Sequence, residues 1–256
     1  MKLHCLGTAG YHPSPTRHTA SFFLEEANIL LDAGTGVFRL DHLLHGPELN
    51  VLLSHAHLDH VVGLTFFWDL VSATPLEKIH VYGEHRKLED IRQHLFHPSL
   101  FPAQPPLQWH AIDMTEEPWH LGDAKCEWFP LEHPGGSVGY RLRFPLVDLA
   151  YVTDTTSQHD SDYWSKIQGV DWLIHECNFP DSEREMAERT GHSWTSAVLE
   201  NAYKHGIQRI ILTHVNPLAD DRDPIGLAAA TARLGSRTPS QILLASDSTV
   251  VDLSRL

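Results

Sequence analysis

No apolar run in this 256-residue chain approaches the roughly 20 residues needed to span a bilayer. The opening Met1-Lys2-Leu3-His4-Cys5-Leu6-Gly7 has no extended apolar stretch, so it does not read as an export signal. Cysteine is scarce: Cys5, Cys126 and Cys177 are an odd number with no short pair spacing. That argues against a disulfide framework or a thiolate zinc cage and fits a reducing, cytoplasmic setting. Clustered cations are missing as well. Lys plus Arg number 19 against 33 Asp plus Glu, a formal net charge of −14, and the densest basic spots are pairs such as Arg141 and Arg143. A long polyanion is held through clustered cations, so extended nucleic acid is not the expected substrate. No low-complexity tract or long polar linker divides the chain, and residues 1–256 are expected to form a single domain.

What the chain does have is histidine, 20 of them. A dinuclear metal site uses only about five or six imidazoles, so spacing has to separate ligands from surface and core histidines. With 42% hydrophobic and 20% charged residues, the chain can bury a sizeable core. Short apolar runs predict strands over 2–7, 21–25, 28–33, 51–54 and 79–83. A second batch follows over 108–112, 125–131, 138–144, 149–153, 172–176, 209–213 and 242–246. Helices are expected near 36–44, 61–73, 86–96, 162–168, 183–190, 194–205 and 225–234. Trp194, Val198 and Ala202 form one apolar stripe, and Gly206 supplies a stop. Hairpin-rich strands followed by helices occur once in each half, which suggests two β-then-α halves packed sheet to sheet, an α/β architecture. His97–Gln108 breaks the rhythm with Pro98, Pro102, Pro105 and Pro106 beside Phe101. It reads either as a structured connection or as a lid or partner surface near a site. Gln241–Leu256 reads equally as a core strand or an interface strand.

The run Val51-Leu52-Leu53-Ser54-His55-Ala56-His57-Leu58-Asp59-His60 begins as a buried strand and ends in four potential metal ligands. Residues two apart on extended chain point the same way, so His55 and His57 can grip one ion. Asp59 and His60 lie where the chain turns into a helix expected to open at Val61, which aims them elsewhere. Imidazole with carboxylate and no thiolate suits zinc, manganese or iron. Further ligands belong at other strand ends, and four positions fit. These are His133 before Pro134-Gly135-Gly136, Asp154 after 149–153, His214 after 209–213, and Asp32 before Ala33-Gly34-Thr35-Gly36. Each alone reads as an ordinary loop residue; with the histidine loop they read as a site.

The order Asp32, His55-x-His57-x-Asp59-His60, His133, Asp154 and His214 resembles the metallo-β-lactamase superfamily over nearly the whole chain. The resemblance implies a four-layer αβ/βα sandwich and two divalent metal ions, zinc by preference with Mn2+ or Fe2+ as the other candidates. It implies His55, His57 and His133 on the first ion and Asp59, His60 and His214 on the second. Asp154 would bridge them, and Asp32 would orient the loop from behind. Leu6-Gly7-Thr8-Ala9-Gly10, Leu31-Asp32-Ala33-Gly34, Leu173-Ile174-His175-Glu176-Cys177 and Gly191-His192-Ser193 are similar to the ribonuclease Z-like phosphodiesterase branch. In that branch the glutamate and the later histidine work as a pair near the leaving group. Glu176 is therefore expected to orient His192, and His192 to protonate the leaving alkoxide; a helix-start role is the other reading of His192. Cys177-Asn178 and Trp194 depart from the branch's pattern. The expected catalytic residues are thus Asp59, His192 and Glu176, with no substrate-binding residue assigned.

Two ions roughly 3.5–4 Å apart can clamp both oxygens of an in-line displacement at phosphorus and acidify the attacking water. The tRNA-processing members of the branch carry a protruding arm between the ligands matching His133 and Asp154. Here only 20 residues, 134–153, lie between those two, and expected strands fill most of them. The expected activity is therefore phosphodiesterase action on a small phosphodiester such as a cyclic nucleotide, with ribonuclease Z-like RNA processing as the alternative. Lactone or thioester hydrolysis on the same scaffold remains open, as does a non-catalytic metal or ligand sensor. No membrane partner is expected, and a homodimer stays an open expectation.

Overall fold

Short apolar runs between turn residues form the strands, and 3.6-residue apolar spacing forms the helices. In chain order the elements are β1 (Lys2–Gly7), β2 (Ser21–Leu24), β3 (Ile29–Leu31), β4 (Glu48–Leu52), α1 (Leu58–Val61), α2 (Phe67–Ala73) and β5 (Lys78–Gly83). Then come α3 (His85–Asp90), β6 (Leu107–Ala111), β7 (Trp119–Leu121), β8 (Ala124–Leu131), β9 (Ser137–Arg143), β10 (Asp148–Val152) and α4 (Tyr163–Lys166). The rest are β11 (Trp172–Glu176), α5 (Arg184–Thr190), α6 (Thr195–Lys204), β12 (Arg209–Thr213), α7 (Leu227–Leu234), β13 (Gln241–Leu244) and β14 (Val250–Asp252). The computed structural model describes residues 1–114, 117–158, 161–219 and 222–254.

The chain divides into two compact units, Met1–Gly122 with Ser246–Leu256, and Asp123–Ala245. In the first, the sheet order is β14-β1-β2-β3-β4-β5-β6. The pairings from β14 to β3 are antiparallel, and those from β3 to β6 are parallel. In the second, the order is β13-β12-β11-β10-β9-β8. Here β8/β9 and β9/β10 are antiparallel, and β10/β11, β11/β12 and β12/β13 are parallel. From β1 to β6 and again from β8 to β13, two antiparallel pairings are followed by three parallel ones. The two β-then-α halves expected from the sequence are present.

Each unit has its own apolar core. In the first, Leu49, Val51, Ile79 and Val81 of the sheet pack with Val61, Leu64, Phe67 and Leu70. In the second, Ala150, Val152, Leu173, Ile210 and Leu212 pack with Trp164, Val198, Leu199 and Ala202. Full burial of such a side chain is worth about 1.5–3 kcal/mol. Parallel strands covered on both faces read as unbroken apolar runs. Leu149–Val152 and Ile210–Leu212 are accordingly buried throughout. Polar residues are thereby displaced to the C-terminal ends of these strands, where open α/β sheets carry their sites.

Two expectations need correction. The sequence places Asp59 and His60 ahead of a helix opening at Val61, but α1 opens at Leu58 and holds both in its single turn. His57, still extended at φ −65° and ψ 147°, is the residue at which the strand-like chain ends. An acidic side chain in a first helical turn meets exposed backbone N–H groups, which favours this earlier start. The helix expected over 36–44 is a 3-10 turn, Thr35–Arg39. The segment His97–Gln108 is an ordered connection. Trp68 Nε1 donates to Ala103 O at 2.6 Å, and Phe101 packs edge-on against Phe96. Of the C-terminal segment 241–256, the last two residues lie outside the described ones, and the rest supplies two strands, β13 beside β12 and β14 beside β1. Among the described residues, no helix is long and apolar enough to cross a membrane.

Candidate active site

In the first unit the ligand candidates converge after β3 and β4. Asp32, fully buried, follows β3 with φ +55°, a left-handed conformation that non-glycine residues rarely adopt. Its Oδ1 accepts from Ser54 N at 2.7 Å, and its Oδ2 accepts from Ser54 Oγ at 2.7 Å and His60 Nδ1 at 2.8 Å. Ser54 has one hydroxyl proton and gives it to Asp32, so its contact with His55 Nδ1 at 3.0 Å has the imidazole as donor. Asp32 therefore fixes the tautomer of two imidazoles, His55 and His60, and leaves each with its Nε2 lone pair. The His55 ring centroid lies 4.4 Å from that of His57 and 4.3 Å from that of His60. Asp59 Oδ2 lies 3.4 Å from His60 Nε2 and accepts from Tyr11 N at 2.7 Å. Gly34 makes this packing possible, because a Cβ there would meet Asp59 O at 2.3 Å.

In the second unit the centre is Asp154, at φ +39° just beyond β10. Its Oδ1 lies 3.1 Å from His214 Nε2 and its Oδ2 lies 3.5 Å from His133 Nε2, so each carboxylate oxygen faces a different imidazole. Thr153 Oγ1 donates to Oδ1 at 2.7 Å, and Ser137 Oγ donates to the Asp154 carbonyl at 2.7 Å. His133 Nδ1 donates to Gly191 O at 2.9 Å, which turns Nε2 toward Asp154. Burial holds the His133 imidazole below its ordinary range, against the opposing pull of the Asp154 carboxylate. His214, at φ +57°, is held from the side by Asn178, whose Nδ2 donates to the His214 carbonyl at 2.9 Å and lies 3.2 Å from its Nδ1. Asp154, His192 and His214 each offer a ligand atom within 4.8 Å of the others.

Glu176, fully buried at the end of β11, holds this second group in place. Its Oε1 accepts from Thr155 N at 3.0 Å, Ser193 N at 3.1 Å and His192 Nδ1 at 3.1 Å, and its Oε2 accepts from Asn178 N at 3.1 Å. One carboxylate thus ties together the loops after β10 and β11 and the entry to α6. It also fixes the His192 tautomer, so that Nε2 is the atom left for chemistry. His192 lies with its ring centroid 5.1 Å from that of His133 and 5.4 Å from that of His214.

The sequence reading gives no warning of Ser54, the Tyr11 N–H or the Gly191 carbonyl as supports of this site. All three act by local contact, through a small side chain or the backbone, and none has a spacing signal. The donor set itself fits divalent metal ions: imidazole and carboxylate, no thiolate, with ring tautomers fixed by carboxylate, hydroxyl and carbonyl partners. Arg141 and Arg143, the pair noted in the sequence as a dense basic spot, are engaged by carboxylates. Arg141 grips Asp148 through Nε at 3.0 Å and Nη2 at 2.6 Å, and Arg143 Nη1 lies 2.6 Å from Glu127.

Comparison with known proteins identifies the family. The family model described as the beta-lactamase superfamily domain matches residues 27–215. A ribonuclease Z of Gemmatimonas aurantiaca is 36% identical over 270 residues, covering 82% of this chain and 84% of its own. A ribonuclease Z of Porphyromonas gingivalis is 25% identical over 272 residues, covering 84% and 88%. Among solved structures, the metallo-β-lactamase fold protein YhfI from Bacillus subtilis superposes with a TM-score of 0.79 at 18% identity, over 98% of this chain and 99% of that one. That likeness shows the fold, the αβ/βα type expected from the sequence. The chain belongs to the β-lactamase superfamily, in its ribonuclease Z-like branch, and is a metal-dependent hydrolase.

Proposed function

We propose that this hydrolase is a phosphodiesterase for small phosphodiesters and that it works with two zinc ions. The observation that carries the reading is Asp154, whose two oxygens face His214 and His133 separately, the disposition a carboxylate shared by two ions requires. His55, His57 and His133 would hold one ion, and Asp59, His60 and His214 the other. When bound, the ions supply Lewis-acid chemistry: they acidify a water and polarise the phosphoryl group. Asp32 holds His55 and His60 in the ligating tautomer. Glu176 accepts the hydrogen bond of His192 Nδ1–H and stabilises the imidazolium, whose Nε2–H is then the proton given to the departing alkoxide. A small substrate is supported by the acidic balance of the chain and by the occupied Arg141 and Arg143. It is also supported by the short connection of residues 144–147 between β9 and β10, which leaves no arm.

The names of the curated relatives favour a second reading, RNA processing. The deciding experiment is His192→Ala assayed on bis-p-nitrophenyl phosphate and on a precursor tRNA, with metal content measured in parallel. The expected result is turnover of the small diester falling about 10²–10⁴-fold with metal content unchanged. Metal loss in proportion to activity would make His192 structural, and faster turnover of the tRNA would overturn the small-substrate reading.

A further inference from the structure

Leu58 and Leu100 stand 68% and 72% exposed, and both line one cavity of about 500 Å³ in the first unit. That volume lies within the range of small-molecule sites, about 300–1,000 Å³. The cavity begins at His57, a proposed metal ligand, with Ala56, Leu58 and Val61 beside it. Its remaining apolar wall is Ile91 and Leu95, at the two ends of a π-helical turn after α3, together with Leu100 from the proline-rich segment. π-Turns recur at functional sites. The wall is built in: Phe96 is buried, Phe101 packs on it at 5.9 Å, and Trp68 holds Ala103.

The chemistry of the lining selects among small phosphodiesters. A nucleobase is held by stacking on aromatic rings or guanidinium planes and by hydrogen bonds along its edge. None of the lining residues is Phe, Tyr, Trp or Arg; of the two imidazoles His57 is taken as a metal ligand, which leaves His94 as a single ring beside Lys87 and Asp90, without a second ring or guanidinium to sandwich a base. Six aliphatic side chains offer dispersion and water exclusion without orientation, which is what a flexible alkyl group uses. We infer that this cavity is the subsite for one ester arm of the substrate, and that the substrate class is a phosphodiester with an alkyl arm rather than a cyclic nucleotide. The inference rests on the phosphodiesterase reading for the bond that is cut. The cavity itself carries the specificity.

The test uses the full-length, zinc-loaded protein and a series of alkyl p-nitrophenyl phosphates from methyl to octyl. In each, water cleaves the P–O bond to p-nitrophenol and releases the alkyl phosphate. The expected result is kcat/KM rising about three- to four-fold per methylene until the cavity fills. Leu100→Asp and Leu58→Ser should flatten that gradient. Leu146→Asp, at an 88% exposed leucine outside the cavity, should keep it. Calorimetric binding of methyl, butyl and octyl phosphate to the metal-free protein reads the same gradient without catalysis. A gradient in binding with no turnover of any diester would retain the subsite and remove the phosphodiesterase reading. Turnover without a gradient, or a gradient equally present in Leu100→Asp, would overturn the subsite, as would cyclic AMP outperforming the octyl ester.

Discussion

Three of the site residues share a backbone state that no sequence pattern announces: Asp32, Asp154 and His214 all have positive φ. Such conformations cost about 1–3 kcal/mol each and cluster where function over-determines geometry. At Asp32 the reason is visible in its three partners. Asp32→Asn keeps the size but turns an amide toward the Ser54 hydroxyl and His60 Nδ1, both of which are donors. His60 must then take the other tautomer and present Nε2–H. Zinc affinity is expected to fall about 10–100-fold, read by chelator competition; unchanged affinity would show that Asp32 is not an orienting group. His175, next to Glu176 in β11, illustrates a structural histidine. Its Nδ1 donates to Glu176 O, its Nε2 accepts from Tyr163 OH at 2.9 Å, and Trp164 stacks on it. Burial lowers its pKa to about 4. The unfolded chain therefore binds this proton first, so stability is complete above pH 6.5 and declines as pH falls toward about 4. The loss is on the order of 3 kcal/mol. Urea midpoints measured across that window should slope, and His175→Gln should flatten the slope; an unaltered slope would place the titration elsewhere.

At the scale of elements, what the sequence discloses follows burial. The parallel strands β10, β11 and β12 are covered on both faces, so their apolar runs stand out and locate Asp154, Glu176 and His214 at their ends. The short edge strand β14 has only Val251 buried and produces no comparable run. The turn from β4 into α1 is misread by three residues because its geometry depends on Gly34, distant in sequence, meeting Asp59. The histidine spacing still picks out residues that could hold an ion, since side-chain chemistry is local even where backbone path is not. Gly191 is a comparable junction. Its φ is +77°, and a Cβ would meet Pro134 Cδ at 2.3 Å and His133 Nδ1 at 3.2 Å. Gly191→Ala is expected to destabilise the protein by more than ~1 kcal/mol through the backbone alone. It should also displace His133, so zinc retention should fall with the thermal midpoint; a stable variant with full zinc would contradict this coupling.

For the whole molecule, the charge of −14 makes a prediction about salt. An enzyme that holds RNA through many phosphates loses about 10³–10⁵ in affinity between 50 and 200 mM salt. A small diester carries one charge and approaches an acidic protein, so its KM should be flat or fall slightly over that range as repulsion is screened. A steep rise in KM would point to cationic recognition that the sequence does not suggest. The first unit is also discontinuous in sequence, since Ser246–Leu256 returns to it and Lys2 pairs with Asp252. This register closes a loop from Lys2 to Asp252, and long-range pairings form slowly. During synthesis β1 therefore waits for its outer neighbour until β14, about 250 residues later, has been made. Until then its unpaired edge is a template for pairing with other chains. Aggregation of nascent or truncated chains, rather than of the finished protein, is where the cost of this topology falls.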